Sequence, residues 1–597
     1  MMPVYNAPVR DMKFIMQEML NIGELTKYKK FAEADIETLD AIIDHGAKFA
    51  SEVLAPLNVI GDKEGCTRHR DGSVSTPTGF KEAYAMMVEN GMLGLSASPE
   101  YGGMGMPGVW GIAAGEMQSA ANTSFSMYPG LTNGAAKAIE IGGTEEQKKT
   151  FLPKMVSGQW TGTMNLTEPH CGTDLGLLKT KAIPQADGSY KISGQKIFIS
   201  AGEHDMSENI IHLCLARIEG APAGVKGISL FIVPKFKLDE RGEVGEKNTV
   251  SCGAIEHKMG INGNATCVMN YDEAEGYLVG EEDKGLRVMF VMMNRARLDV
   301  GMQGLAQSDV AYQNAVAYAQ DRTQGRSLTG PKNTNGPADP IIVHPDVRRM
   351  LMETKAFNEG ARALIYWSAL MEDLETVHPN EKFREKADDY LGLLTPVIKG
   401  YLTDKALTAT IDCQQIFGGH GFIEEWGMSQ FVRDTRITLI YEGANGIQAL
   451  DLVGRKLAKN GGRALMSLNA EMDDFLNENS SNENLLEFME GLKKAKDSLS
   501  KATMWLMQNG MQNPDNAGSG SVDYMHMMGL TTLAYMWAKM AVVAQSKIDG
   551  GSNDEFYSNK IITGRYFVLR MLPMLDAHFE KIKTGSEPIM ALKASAF

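Results

Sequence analysis

Apolar residues recur at helical spacing over the early part of the chain. From Ala32 to Ala55 they fall three and four positions apart, which predicts a helix ending before Pro56. Pro77 is placed to open a second helix that stops at Gly91. Thr144 and Gln147 have the spacing of a capping box, so a third helix is expected to run towards Gly158. Residues 33–160 thus read mainly as helix. Near residue 161 the period shortens. Tyr190 to Ser200 (YKISGQKIFIS) reads as strand with a Ser-Gly turn signal inside it, and Ile211, Leu213 and Leu215 alternate with His212, Cys214 and Ala216. A Gly/Pro-rich turn, Glu219 to Gly227, leads to a buried strand at Ile228 to Val233. From Gly285 the helical period returns. Leu286 to Gln320 reads as one long helix, apolar on several sides as in a bundle core. A Gly/Pro/Asn-rich loop fills 325–345, and helices resume from Pro345 to about 457. Residues 460–597 are a further helical segment, with a polar run at Asn477 to Asn484 and an expected Gly/Asn/Ser-rich linker at Asn513 to Ser521. The expected organisation is α+β: an N-terminal extension at 1–34, a helical domain at 35–160, a β domain at 161–278, a helical bundle at 279–457 and an additional helical domain at 458–597.

Composition narrows the classes. The chain has 597 residues, 43% of them apolar and 22% charged, which is ordinary globular usage. A net charge of −15 argues against a nucleic-acid or anionic-membrane partner, both of which need a basic face, but leaves room for a small anion in a local arginine pocket. Six cysteines without a C-x-x-C pair point to a reducing compartment rather than a disulfide framework. Arg10, Asp11, Lys13 and Glu18 interrupt the N-terminus where a secretion signal would be apolar, and Lys539 breaks the longest apolar run, Met527 to Val543. A cytoplasmic protein without an integral membrane segment is expected. The 39 methionines read as adaptable core filling.

Several motifs fail on context. Gly103, Gly105 and Gly108 spell G-x-G-x-x-G, but SASPEY precedes them instead of an apolar strand, and Pro107 lies inside; a tight loop is expected. The scattered histidines give no H-E-x-x-H or other metal spacing, so no metal is expected.

Three segments carry chemistry: NLTEPHCGTD (Asn165 to Asp174), QIFGGHG (Gln415 to Gly421) and IYEGANGIQ (Ile440 to Gln448). Paired glycines let a backbone turn tightly or approach a flat ligand. Glu442, on a turn between Tyr441 and Gly443, could reach a substrate, and desolvation would raise its pKa towards that of a useful base. With PEYGGMG (Pro99 to Gly105), GTEEQKKTFLPKMVSGQW (Gly143 to Trp160), Arg297, the pair Asp321-Arg322 and FVRDTRI (Phe431 to Ile437), all in order, the chain resembles the acyl-CoA dehydrogenase family of flavoproteins over about 35–457. YNAPVRDMKF (Tyr5 to Phe14), the 325–345 loop and the appended C-terminal helices resemble its long subgroup, which includes 3-methylmercaptopropionyl-CoA dehydrogenase.

The resemblance implies an N-terminal helical domain, a middle β-barrel, a C-terminal four-helix bundle and an extra helical domain. It implies FAD as cofactor and Glu442 as the base that takes the α-proton of an acyl-CoA while the β-hydride passes to flavin N5. The product is a trans-2-enoyl-CoA. In relatives whose base sits on the earlier helix, the corresponding position here is Ala296, which cannot serve. Met164, Leu166, Thr167, Thr173, Phe198 and Ser200 match flavin contacts. Arg322 matches a pyrophosphate contact, and Gln415 and Gly419 match contacts to the adenosine part made by a second subunit, so a homodimer is implied. Ala444 stands where a flavin-binding Thr is usual, and Gly446 replaces a larger polar residue. Thr173, Asn294, Arg297, Tyr441 and Gly443 match the substrate side; an alignment shifted by two would put Arg295 in place of Arg297. Electrons are implied to pass to electron-transfer flavoprotein. The substrate is left between a fatty acyl-CoA and 3-methylthiopropionyl-CoA. Two alternatives stand beside this reading: an oxidase of the same fold, and a helical binding protein in which the flavin is structural or lost.

Overall fold

The computed structural model describes residues 3–597. Contacts divide the chain into two compact units, one of His45–Asp299 and the other of Met1–Asp44 with Val300–Phe597.

Helices lead into the first unit, whose boundary falls within the first of them. α1 (Ile36–Phe49) does not stop at Pro56; a π turn, Ala50–Leu54, carries it into α2 (Ala55–Glu64). Pro56 sits in the first turn of α2, where its missing N–H removes no helical bond that matters, so the proline marks a change of helical gauge rather than an end. α3 (Phe80–Glu89) follows, starting after Gly79 rather than at Pro77. The loop carrying Gly103 and Gly105 is tight, as expected: a Cβ on Gly103 would lie 2.2 Å from the Ala97 carbonyl oxygen. α4 (Gly108–Gly142) and α5 (Glu145–Ser157) complete the helical part. The capping box of α5 is formed, with Thr144 Oγ1 accepting from Gln147 N (3.2 Å) and Gln147 Oε1 accepting from Thr144 N (3.0 Å).

The seven strands of the main sheet follow: β1 (Trp160–Asn165), β2 (Lys181–Pro184), β3 (Tyr190–Ser200), β4 (Asn209–Ile218), β5 (Ser229–Pro234), β6 (Val250–Ile255) and β7 (Thr266–Val279). β7 pairs with β3, β3 with β2, β2 with β4, β4 with β5, and β5 with the end of β7. That hydrogen-bonded ring is a closed barrel, with β6 added on β7 and β1 on β4. β7 meets three neighbours, β3, β5 and β6, and its register against β3 shifts between Tyr271 and Ala274, where Glu273 has φ +53°. The Ser-Gly pair inside β3 is not a turn. Gly194 lies in continuous strand where Thr180 passes so close that a Cβ would meet Thr180 Oγ1 at 2.4 Å. The alternation in β4 has buried residues on both sides: Ile211, Leu213 and Leu215 pack outward with Ile139, Phe151 and Met155 of α4 and α5, while Cys214 and Ala216 pack with Phe231, Tyr271 and Ala274. α6 (Gly285–Asp321) then begins, one long helix as expected, and the division between units falls within it.

In the second unit, the C-terminal half of α6 joins α7 (Pro345–Val377), α8 (Glu381–Ile416) and α10 (Asn445–Asp451) in a four-helix bundle, with α9 (Met428–Arg436) beside α8. α6 and α8 cross where Gly301 faces Ile398 and Gly304 faces Thr403 and Ala406. The Gly/Pro/Asn-rich loop before α7 is ordered by one buried carboxylate. Asp339 accepts from the backbone of Asn333, Lys332 and Ser327, which holds its pKa down at about 2. The appended helices are α11 (Arg463–Asn479), α12 (Leu486–Gln512), α13 (Pro514–Asp549), α14 (Glu555–Tyr566) and α15 (Met574–Thr584). The expected linker at Asn513 to Ser521 is instead the start of α13: Asn513 caps it through Asp515 N and Pro514 occupies its first turn. Capping chemistry and small residues had mimicked a loop. α13 is long and apolar enough to cross a membrane, yet 83% of its most apolar window is buried inside the protein. It is a core helix packed on α7, α8, α10, α12, α14 and α15. The N-terminal segment belongs to this unit as well, with buried Asp11 paired to Arg362 and Lys560.

Candidate active site

In the first unit, the end of β1 and the loop after it are pinned by buried polar groups. Asn165 Nδ2 donates to the hydroxyl of Tyr271 (2.7 Å) and lies 3.1 Å from His212 Nδ1 inside the barrel. Strand alternation then turns Met164 and Leu166 to the opposite face. Ile197 N donates to Thr167 O (2.9 Å), and Thr163 Oγ1 to Ser200 O (2.7 Å), so the loop lies along the end of β3. Buried Glu168 anchors it further, accepting from Lys196 Nζ (2.8 Å), Thr180 Oγ1 (2.6 Å) and the backbone of Lys179. Burial alone would raise the Glu168 pKa, but Lys196 and Thr180 hold it below the ordinary carboxylate value. The structure therefore brings Met164, Leu166, Thr167, Phe198 and Ser200 together. Phe198 is the outlier: it has φ +58° and its large apolar side chain is 60% exposed. An exposed aromatic in a strained backbone, flanked by hydroxyls, is a platform for a flat ligand. Thr173 lies exposed farther along the same loop.

Glu168, His170 and Cys171 place potential metal-ligand atoms within 4.8 Å of one another. The Glu168 carboxylate is already neutralised by Lys196, and burial raises the Cys171 thiol pKa, so this donor set suits packing better than a cation. On α6, Asn294 is exposed and Arg297 buried, three residues apart on one side of the helix.

In the second unit, Glu442 occupies the turn between the 3-10 turn Ile437–Leu439 and α10. Its φ is +56°, left-handed for a residue with a Cβ, and Gly443 follows at +87°. A non-glycine residue held there costs about 1–2 kcal/mol, which the surroundings must offset. They do so from α10: buried Gln448 Nε2 donates to both turn carbonyls, Glu442 O and Gly443 O, at 3.1 Å each. Asn445 at the start of α10 donates to Asp404 Oδ1 (2.7 Å), Thr403 Oγ1 (2.9 Å) and Gly400 O (3.0 Å), and accepts from buried Lys399 Nζ (2.8 Å). Tyr441 points its hydroxyl at Gln303 Oε1, and burial together with the Glu442 charge raises its pKa. Ala444 precedes α10 without a capping side chain, and the space beside Gly446 is open.

Arg322, Gln415 and Gly419 are all exposed on this unit. They share a scaffold: Arg322 N bonds to Tyr318 O, the Tyr318 ring stacks on Phe417 at 4.1 Å, and its hydroxyl lies 3.0 Å from His420 Nδ1. Among the described residues Arg322 makes no salt bridge. Asn445 and Gln448 lie within the IYEGANGIQ motif, but nothing in its residue pattern marks their hydrogen-bonding roles. Asp404, Gln303 and Lys399 carried no local signal, being far from the motif along the chain.

Known-family signatures match consecutively: acyl-CoA dehydrogenase N-terminal domain over 36–159, middle domain over 163–274, C-terminal domain over 283–457, and an acetyl-CoA dehydrogenase C-terminal-like domain over 468–593. The 3-methylmercaptopropionyl-CoA dehydrogenase of Ruegeria pomeroyi is 41% identical over 98% of this chain and 99% of its own. The broad-specificity linear acyl-CoA dehydrogenase FadE5 of Mycobacterium tuberculosis is 35% identical over 99% of this chain and 100% of its own. The crystal structure of Caenorhabditis elegans ACDH-11 in complex with C11-CoA superposes with a TM-score of 0.81 over 99% of this chain and 95% of that one, at 18% identity. With its whole length accounted for in this way, the chain belongs to the acyl-CoA dehydrogenase family, as an acyl-CoA dehydrogenase.

Proposed function

We propose that this enzyme dehydrogenates an acyl-CoA thioester at its α,β bond to give the trans-2-enoyl-CoA, with Glu442 as the base that takes the α-proton. The observation that carries this reading is the Glu442 turn: a carboxylate held in left-handed backbone by Gln448. A base must be fixed where the proton will be, and strain maintained by buried hydrogen bonds is a sign of such fixing. FAD, when bound, supplies the acceptor for the β-hydride. The residues present fit it: Phe198 offers a bare aromatic wall, Thr167, Thr173 and Ser200 offer hydroxyls beside Met164 and Leu166, and Arg322 offers an unpaired guanidinium for phosphate. Ala444 offers no hydroxyl, so one hydrogen bond of about 0.5–1.5 kcal/mol is forgone there. Gln415 and Gly419, exposed next to the Tyr318 scaffold, suit contacts to the cofactor of a second subunit in a homodimer.

On the substrate side we assign Thr173, Asn294, Arg297, Tyr441 and Gly443. The relatives' names span a thioether acyl group, linear acyl chains and butyryl-CoA, which supports keeping both 3-methylthiopropionyl-CoA and fatty acyl-CoAs as proposed substrates. Electron-transfer flavoprotein is the proposed acceptor and the cytoplasm the proposed compartment, the latter in keeping with six free cysteines. Anaerobic titration of the purified holoenzyme with acyl-CoAs from short to long, 3-methylthiopropionyl-CoA included, names the substrate by bleaching of the flavin band. Glu442→Gln should keep bound flavin and lower the reduction rate by at least about a thousandfold, as expected for loss of a positioned general base. Reduction at the unaltered rate in that variant would reject the assignment.

A further inference from the structure

The family's basic fold ends near residue 457, yet the appended helices touch the machinery that holds the base. On α13, His526 Nε2 lies 2.9 Å from Asp404 Oδ2. The other oxygen of the same carboxylate, Oδ1, accepts from Asn445 Nδ2 at 2.7 Å. Asn445 opens α10, three residues after Glu442, and Gln448 on the same helix holds the Glu442 and Gly443 carbonyls. α10 has seven residues, too few to be stable alone, so its position is set by what anchors it. Asp404 is thus a bridge with one oxygen on the appended domain and one on the helix that follows the Glu442 turn. Beside a carboxylate, His526 Nε2 is the donor.

We infer that His526 is a positioning residue for catalysis: through Asp404 and Asn445 it fixes α10, and with it the strained turn that carries Glu442. The inference rests on the reading of Glu442 as base. Packing around the contact is independent of the imidazole: Gly529 lies against the Tyr401 ring, and Met525 against Gly400, so α13 stays seated when the imidazole is replaced. The His526 ring itself meets Tyr401 edge-on at 5.3 Å and His578 at 5.2 Å.

The test is single-turnover flavin reduction by saturating acyl-CoA in holoenzyme variants, with flavin content and melting temperature measured alongside. His526→Ala should lower the reduction rate constant about tenfold, the size expected of one lost hydrogen bond to a charged group, with flavin content retained. His526→Gln, which keeps a donor near the Nε2 position, should restore most of the rate. Because His526 acts through Asp404, adding His526→Ala to Asp404→Ala should lower the rate no further. A wild-type rate in His526→Ala, a Gln variant no better than Ala, or additive losses in the double variant each overturn the inference. Glu442→Gln separates the two readings: if it abolishes reduction while His526→Ala does not slow it, the base stands and only the positioning role falls. If Glu442→Gln reduces normally, both fall.

Discussion

At the residue scale, Gln448 is the side chain that bonds directly to the turn carrying Glu442, the proposed base. Gln448 Nε2 makes two hydrogen bonds to the carbonyls of the left-handed turn and is itself buried, so no water replaces it. Gln448→Ala should therefore slow flavin reduction by about ten- to a hundredfold, from two lost bonds of about 1 kcal/mol each and a relaxed turn. Stopped-flow reduction checks this, and an unchanged rate would mean that the turn keeps its shape without Gln448. The motif around Glu442 was legible because a carboxylate beside glycine is a local pattern in the sequence. Its support was not: Asp404 and Gln303 reach it from other helices, and no local pattern marks them.

At the scale of elements, period and caps were the readable signals. The α5 capping box appeared in sequence as Thr144 and Gln147 and is formed in the fold. Thr144→Ala should destabilise the first unit by about 1 kcal/mol, seen as a lower urea midpoint at unchanged slope. The Asn513 to Ser521 stretch was misread because the same small polar residues serve loops and helix starts, and only packing chose helix. The barrel makes a prediction of its own. His204 and His212 are buried, and desolvation, aided by the Lys235 charge, lowers each pKa from near 6.5 to about 3. The unfolded chain takes up those protons first. Stability is then whole above about pH 6.5 and falls as pH drops towards 3, by up to about 1.4 kcal/mol per pH unit for each histidine. Urea midpoints of the full chain between pH 6.5 and 4.5 should decline accordingly; a flat profile would contradict neutral burial.

The whole molecule ties both chain ends into one unit. Asp11 from the N-terminal segment meets Arg362 of α7 and Lys560 of α14, all buried. Trp537 of α13 donates to Ala356 O (3.1 Å) against Gly360. Cutting the chain after Leu457 strips these partners and exposes buried Tyr401 and Arg362. The truncated protein should lose cooperative unfolding and aggregate, as gel filtration and circular dichroism would show. A folded, monodisperse truncation would mean that the bundle stands alone. The expected dependence comes from the apolar surface that α13 covers.

Sequence alone determined the order of helix, barrel and bundle, the family and the candidate base, because periodicity, caps and glycine-flanked polar residues are local and leave local marks. It could also show that the chain runs on past the family core. Only the tertiary structure decided where the extra helices pack, which side of β4 faces the barrel, and how the Glu442 turn is held. Those outcomes depend on groups far apart along the chain meeting at hydrogen-bond distance, and pairwise meetings of that kind are written in packing rather than in any one segment.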